Sequence, residues 1–237
     1  MTDVSKSPER IAGMFDAIAG RYDLLNHLLS AGIDRRWRRR AIRSLRLTGR
    51  ERVLDLCTGT GDLAIAALRA SPGAARVVGV DFAAAMLRAG LEKSRRERLA
   101  DRLALVRGDA TRIPIADASM DAVTIAFGIR NVDQVATVCT EMHRVLKPAG
   151  RLAILEFAVP TMPGVSALYV WYLNQVLPRV GRAISGHNAA YGYLPASIGA
   201  FTSPEEFVKI LQDAGFTGVA QARLTFGSVV LYTAGRA

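Results

Sequence analysis

Cysteine is scarce. Cys57 and Cys139 are the only two in 237 residues, and their spacing suits neither a disulfide framework nor structural zinc. No run reaches the roughly 20 uninterrupted apolar residues that a membrane span needs. The opening Met1-Thr-Asp-Val-Ser-Lys-Ser is polar and lacks the apolar core of a signal peptide. Internal repeats and low-complexity segments are absent, and acids are outnumbered: 31 Lys and Arg face 21 Asp and Glu, a formal charge of +10. With 50% of the residues hydrophobic, what remains is a globular chain, expected in the cytoplasm and sized for one α/β domain over 1–237. The charge fits nucleic acid, an anionic membrane surface, or simply a basic soluble protein.

What is there is organised around Arg52-Val-Leu-Asp-Leu-Cys-Thr-Gly-Thr-Gly-Asp62. Val53, Leu54 and Leu56 read as a short buried strand, with Asp55 near its carboxyl end. Gly59 and Gly61 allow a sharp turn and close approach to a ligand. Leu63, Ile65, Ala66 and Leu68 then give a helix its apolar side. Further strands are expected at Arg76–Asp81, Leu103–Val106, Met120–Ala126 and Arg151–Phe157, each preceded by a helical stretch, the last running from about Val135 to Leu146. That alternation predicts a parallel sheet with right-handed crossovers.

Flanking segments complete the plan. Residues 1–50 predict helices, the first with Ser7 as N-cap, Pro8 at its start and Ile11, Met14, Phe15 and Ile18 on one face. From Arg35 to Arg52, nine of eighteen residues are arginine, either a solvated helix face or a functional surface. Residues 160–198 are apolar and aromatic, with Pro178 and Pro195 expected to interrupt any long helix, and predict a lid. Ser203-Pro-Glu-Glu206 starts a capped helix. Two strands, about Gly218–Leu224 and Gly227–Thr233, predict an antiparallel hairpin. The fold class is α/β: a doubly wound, seven-stranded Rossmann-like sheet with a terminal hairpin and an apolar helical lid.

Gly59-Thr-Gly61-Asp-Leu-Ala64 also fits the loose dinucleotide pattern, so the turn alone does not choose a cofactor. Three features favour S-adenosylmethionine. Asp55 precedes the turn, where a carboxylate can approach the amino-acid end. Asp109 is placed for the adenine amino group, with Ala110 offering backbone beside the ring. No second nucleotide-binding half follows. Asp81, twenty residues beyond Gly61, stands where an acid can accept from ribose hydroxyls. The expected cofactor set is Asp55, Gly59, Thr60, Gly61, Asp81, Asp109 and Ala110, each acid having a helix-capping alternative.

Near the start stand Tyr22-Asp23, Asn26, Ser30 and Trp37; later come Arg144-Val-Leu-Lys-Pro148, Gly150 and Glu156, with Phe127-Gly-Ile-Arg-Asn131, Tyr193-Leu-Pro-Ala-Ser197 and Ala214-Gly-Phe216. Across nearly the whole chain this resembles the C-methyltransferases of ubiquinone and menaquinone biosynthesis. It departs in Asp34 for a common histidine, Ala149 for a glycine, Ala158 for a serine, Cys57 for the first glycine of the broader turn, and Ala126 for a serine. The resemblance implies methylation of a ring carbon of a polyprenylated quinol, without a metal. It places Arg130 and Asn131 at the ring, Arg130 stabilising a phenolate or pairing a structural carboxylate, with Tyr22 and His187 as further candidates. A lipid-borne substrate implies transient contact with the inner membrane surface; whether the chain forms a homodimer stays open. The other class left by the charge is RNA binding, with or without methylation. Against it, the aromatics do not interleave with the arginines, and no Asn-Pro-Pro-Tyr-type segment follows the fourth strand, so no nucleic acid partner is expected.

Overall fold

The computed structural model describes residues 7–71, 73, 75–177, 179 and 188–237. Three helices open it: α1 (Pro8–Ile18), α2 (Tyr22–Leu29) and α3 (Asp34–Ser44). Then come β1 (Arg52–Leu56), α4 (Asp62–Ala70), β2 (Arg76–Asp81), α5 (Ala84–Arg96), β3 (Leu103–Arg107), β4 (Met120–Ala126), α6 (Val135–Val145) and β5 (Leu146–Phe157), with a helix before each strand as expected except β4, which follows β3 without one. After them come α7 (Pro163–Trp171), α8 (Asn188–Ala200), α9 (Pro204–Asp213), β6 (Thr217–Leu224) and β7 (Val229–Gly235).

The seven strands form one sheet in the order β3-β2-β1-β4-β5-β7-β6. β1 to β5 pair in parallel, and β7 enters antiparallel between β5 and β6. Central strands covered on both faces must be apolar on both: Val123, Ile125, Leu152 and Ile154 face one core, and Ala122, Ala153 and Leu155 face the other. One core, containing Leu56, Ile125, Met142 and Phe207, lies against α6 and α9. The other packs Trp37, Leu45, Leu63 and Leu68 with Leu155, on the face of α3 and α4. A smaller cluster of Ile18, Leu173, Leu177 and Ile198 joins α1 to the lid helices.

Several sequence expectations are refined. α1 starts at Pro8, yet Ser7 makes no side-chain cap, whereas Ser203 and Glu206 complete a reciprocal capping box on α9. β5 begins earlier than expected, because Met120 pairs with Leu146 before the register shifts and resumes at Ala122 and Arg151. Within that bend Ala149 has φ +60°, and a Cβ on Gly150 would lie 2.7 Å from the Lys147 carbonyl oxygen. Pro195 sits inside α8 and does not end it. Pro178 and His187 lie outside the described residues. Arg38, from the arginine-rich segment, is buried and pairs with Asp34 and Asp62, so it belongs to the interior and not to a solvated face.

The loops after β1 and β4 pack against each other with no space to spare. A Cβ added at Gly128 would fall 2.4 Å from the Cβ of Cys57, an atom too close to the backbone to swing aside. Gly128→Ala is therefore expected to destabilise the fold by about 1–3 kcal/mol, the scale of overpacking. Urea unfolding measures this; an unchanged midpoint would contradict the contact.

Candidate active site

A cleft opens at the carboxyl ends of β1 to β4, the crevice position expected for an open α/β sheet. Cys57 and Gly59 turn the chain out of β1 with φ +52° and +55°, and Gly61 follows at +80°. Gly59 lines the cleft, and a Cβ there would meet nothing within 4 Å. A side chain would thus occupy ligand space. Asp81 stands at the end of β2; its Oδ2 accepts from the Gly59 N–H at 2.7 Å and its Oδ1 from the Ala83 N–H at 2.8 Å. Burial raises its pKa against those donors. Each oxygen keeps capacity for another donor, as ribose hydroxyls would need. Asp109 and Ala110, just after β3, also line the cleft, as does Asn131 after β4, whose buried Oδ1 has no partner. This acceptor-rich lining fits the polar groups of S-adenosylmethionine.

Three of the expected cofactor residues are placed otherwise. Gly61 shapes the turn and starts α4 but does not line the cleft. The Thr60 hydroxyl donates to Asp23 at 2.5 Å and accepts from Lys93 at 3.1 Å, so its side chain ties α2 to the sheet. Asp55 is 1% exposed and lies below the turn, accepting from the hydroxyls of Thr58 at 2.5 Å and Thr124 at 2.7 Å. It borders a small recess shared with Tyr22, Arg38, Thr60 and Asp62, which adjoins the cleft at Cys57 and Gly59.

A second cavity, mostly apolar, lies beside the cleft between the N-terminal helices and the lid. Phe15, Tyr22 and Phe127 line both. The single helical turn Ile129–Asn131 divides them: Asn131 faces the cleft and Arg130 faces the apolar cavity. Arg130 is 5% exposed and bonded through two of its three guanidinium nitrogens. Its Nη1 donates to Glu156 at 3.0 Å and to the Phe127 carbonyl, and its Nε to Ser197 Oγ at 3.2 Å. Of the two expectations for Arg130, the structural carboxylate is the one found, although the guanidinium still borders the cavity. Phe127 is held at φ +60°, an uncommon conformation for a bulky residue, with its ring stacked on Phe157 at 4.4 Å. Tyr22, half-buried at the junction, has its pKa raised by burial, and Asn26 hydrogen-bonds its hydroxyl.

Sequence reasoning left Glu156 without a role, although it ends β5 as Asp81 ends β2; the strand-terminal acid was the available signal. Lys93 was also missed. Its ammonium bridges Asp23 and Asp62, and nothing in a charged helix face distinguishes that lysine from its solvated neighbours.

Burial raises the Asp55 carboxyl from an ordinary 3.8 to about 6, outweighing the Thr58 and Thr124 hydrogen bonds. A folded-state pKa above the unfolded value means that the folded chain holds the extra proton. Stability should therefore fall as pH rises from about 4 through 6, by about 3 kcal/mol at about 1.4 kcal/mol per tenfold. Asp55→Asn is expected to flatten that slope. Thermal unfolding between pH 4 and 7 reads it, and parallel curves for both proteins would contradict the assignment.

Known proteins resemble this chain in sequence and in shape. The model of the ubiE/COQ5 methyltransferase family matches residues 1–236. The "Ubiquinone/menaquinone biosynthesis C-methyltransferase UbiE" of Geobacter sp. (strain M21) is 45% identical over 232 residues, covering 98% of both chains. The "Demethylmenaquinone methyltransferase" of Bacteroides fragilis is 41% identical over 97% of this chain and 93% of its own. Among solved structures, the cyclase SpnF superposes with a TM-score of 0.73 at 15% identity, covering 97% of this chain and 96% of that one. A SAM-dependent methyltransferase from Aquifex aeolicus gives 0.63 at 19%, covering 84% and 89%. At such identities these two speak for the fold alone, and a cyclase among them shows that fold does not fix chemistry. The family match over residues 1–236 decides it: this chain belongs to the ubiE/COQ5 methyltransferase family.

Proposed function

We propose that the chain transfers a methyl group from S-adenosylmethionine to a ring carbon of a polyprenylated quinol. One observation carries this reading. An acid-lined cleft and an apolar cavity meet across three side chains among the described residues, Phe15, Tyr22 and Phe127. The names of the relatives from Geobacter and Bacteroides support it. When bound, the cofactor supplies a methyl group already activated on a sulfonium, so the protein's task is alignment and a nucleophilic carbon.

The residues divide that task. Asp81 and Asp109 hold the polar end of the cleft. Ile18, Leu173, Leu177 and Ile198 wall the apolar cavity and keep water from the ring, which strengthens every electrostatic effect inside. Loss of a phenolic proton moves electron density onto the adjacent ring carbon. Asn131 Oδ1 is an unpaired acceptor on the cleft side of the Ile129–Asn131 turn, where it can hold a water that takes that proton. Arg130 acts differently from a lone cation. With Glu156 at 3.0 Å it is an ion pair, and it stabilises a phenolate through the orientation of that pair.

Only the reduced ring has the hydroxyl whose ionisation makes carbon nucleophilic; the oxidised quinone is an electrophile. Labelled methyl transfer to a short-tailed quinol is therefore expected with reductant and absent without it. Equal rates under both conditions would contradict the mechanism.

A lipid-tailed substrate also requires the protein to visit a membrane surface, since no helix among the described residues is long and apolar enough to cross one. α7 exposes Leu168, Val170 and Trp171, the last by 56%, and Phe226 in the β6–β7 turn is 76% exposed. Trp37 Nε1 donates to Thr225 Oγ1 at 2.8 Å, linking that turn to α3. Arg36, Arg39, Arg40 and Arg43 along α3, with Arg46 just after it, line a groove against β6 and β7. Apolar tips beside a basic groove suit shallow insertion with attraction to anionic headgroups. Binding to anionic vesicles is expected to weaken with salt and to fall when Arg39, Arg40 and Arg43 become Gln. Salt-independent binding, equal on neutral vesicles, would leave no role for the arginines.

A further inference from the structure

The described residues contain four buried side-chain polar atoms with no hydrogen-bond partner: Arg38 Nε, Ser71 Oγ, Asn131 Oδ1 and the Tyr193 hydroxyl. Buried polar groups are almost always paired, so each unpaired one asks for an explanation. Ser71 borders neither large cavity, and Arg38 spends its other nitrogens on Asp34 and Asp62. Asn131 belongs to the cleft and has its role above. Tyr193 is left. It is 5% exposed and lines the mostly apolar cavity with Ile18, Leu173, Leu177 and Ile198, and none of the polar side chains there, such as Asn26 or Tyr169, bonds its hydroxyl.

Its position follows from α8. Residues four apart share a helix face, so Tyr193 and Ser197 point the same way. Ser197 Oγ accepts from Arg130 Nε at 3.2 Å and donates to the Leu194 carbonyl at 2.9 Å. That anchor sets the Tyr193 face of α8 against the Arg130 end of the cavity, and the Arg130 charge acts on the Tyr193 phenol as it does on Tyr22. Tyr22 marks the junction with the cleft, where the carbon to be methylated must sit. Tyr193, on the lid, addresses the same cavity but does not line the cleft.

We propose that the Tyr193 hydroxyl hydrogen-bonds the ring oxygen of the quinol farther from the methylated carbon, and so selects dihydroxy rings over rings with a single hydroxyl. The inference rests on the quinol-methylation reading and adds a recognition element to it. A phenol both donates and accepts, so it serves the bound hydroxyl in either sense, and no protein group already holds it. Sites that bond a substrate hydroxyl reject the analogue lacking it, because the protein group is then left unpaired. Without substrate, the unpaired phenol is a cost the fold carries.

Tyr193→Phe tests this with two acceptors: a short-tailed naphthohydroquinone and the analogue lacking the hydroxyl farther from the methylated carbon. For the dihydroxy ring, the variant should raise KM about 10-fold, the scale of one hydrogen bond, with a smaller change in kcat. Cofactor affinity should be unchanged, and Tm should be equal or higher, since the lost hydroxyl bonded nothing in the protein. For the analogue, variant and wild type should be indistinguishable. An unchanged KM for the dihydroxy ring, an equal loss on both acceptors, or a lowered Tm would each overturn the role of Tyr193 while wild-type turnover keeps the quinol reading intact. A wild-type protein that methylates neither ring would instead remove that reading, and the proposal with it.

Discussion

Glu156 is the charge on which the site depends. It is 1% exposed, and it accepts from Arg130 Nη1 at 3.0 Å, the Arg130 backbone N–H at 3.2 Å and the Phe157 N–H at 2.8 Å. A carboxylate this deep stands only when paired and hydrogen-bonded, and removing one partner costs about 3–5 kcal/mol. By holding both backbone and side chain of Arg130, it fixes the turn that separates cleft from cavity. Arg130 in turn holds the Phe127 carbonyl, keeping that residue in its positive-φ conformation. The wall between cleft and cavity, across which methyl transfer is proposed, is thus set by one buried ion pair.

The other side of that wall comes from the N-terminal helices, and polar contacts bring them there. Asp16 on α1 accepts from the Ala85 N–H at 2.7 Å, supplying the first turn of α5 with the cap that Ala83 cannot give. Asp23 on α2 takes the Thr60 hydroxyl and the Lys93 ammonium. Phe15 and Tyr22 each stand next to one of these two acids in sequence. Both rings are therefore positioned over the cleft by contacts to the sheet domain, with the apolar cluster around Ile18 filling in behind.

Much of this was legible in the residues. Apolar runs separated by helical periods gave the parallel sheet, and acids at strand ends pointed to Asp81 and Asp109, which do line the cleft. Local pattern was less able to assign direction. Asp55 and Thr60 are the right residue types beside the turn, yet their side chains face Thr124 and Asp23, partners distant in sequence. Arg38 looked like one of many surface arginines; Asp34, four residues before it on α3, is a partner that helical spacing offers, but only the fold brings Asp62 to it. The unpaired hydroxyl of Tyr193 is invisible in sequence altogether, because an absent partner is a property of packing.

The two-cavity arrangement is tested most directly by a crystal structure of the chain with S-adenosylhomocysteine and a short-tailed quinol. The ring should lie in the apolar cavity beside Arg130, with the cofactor's sulfur facing it across the junction of Phe15, Tyr22 and Phe127. A ring bound within the cleft, or on the far side of the lid from Phe127, would contradict the account.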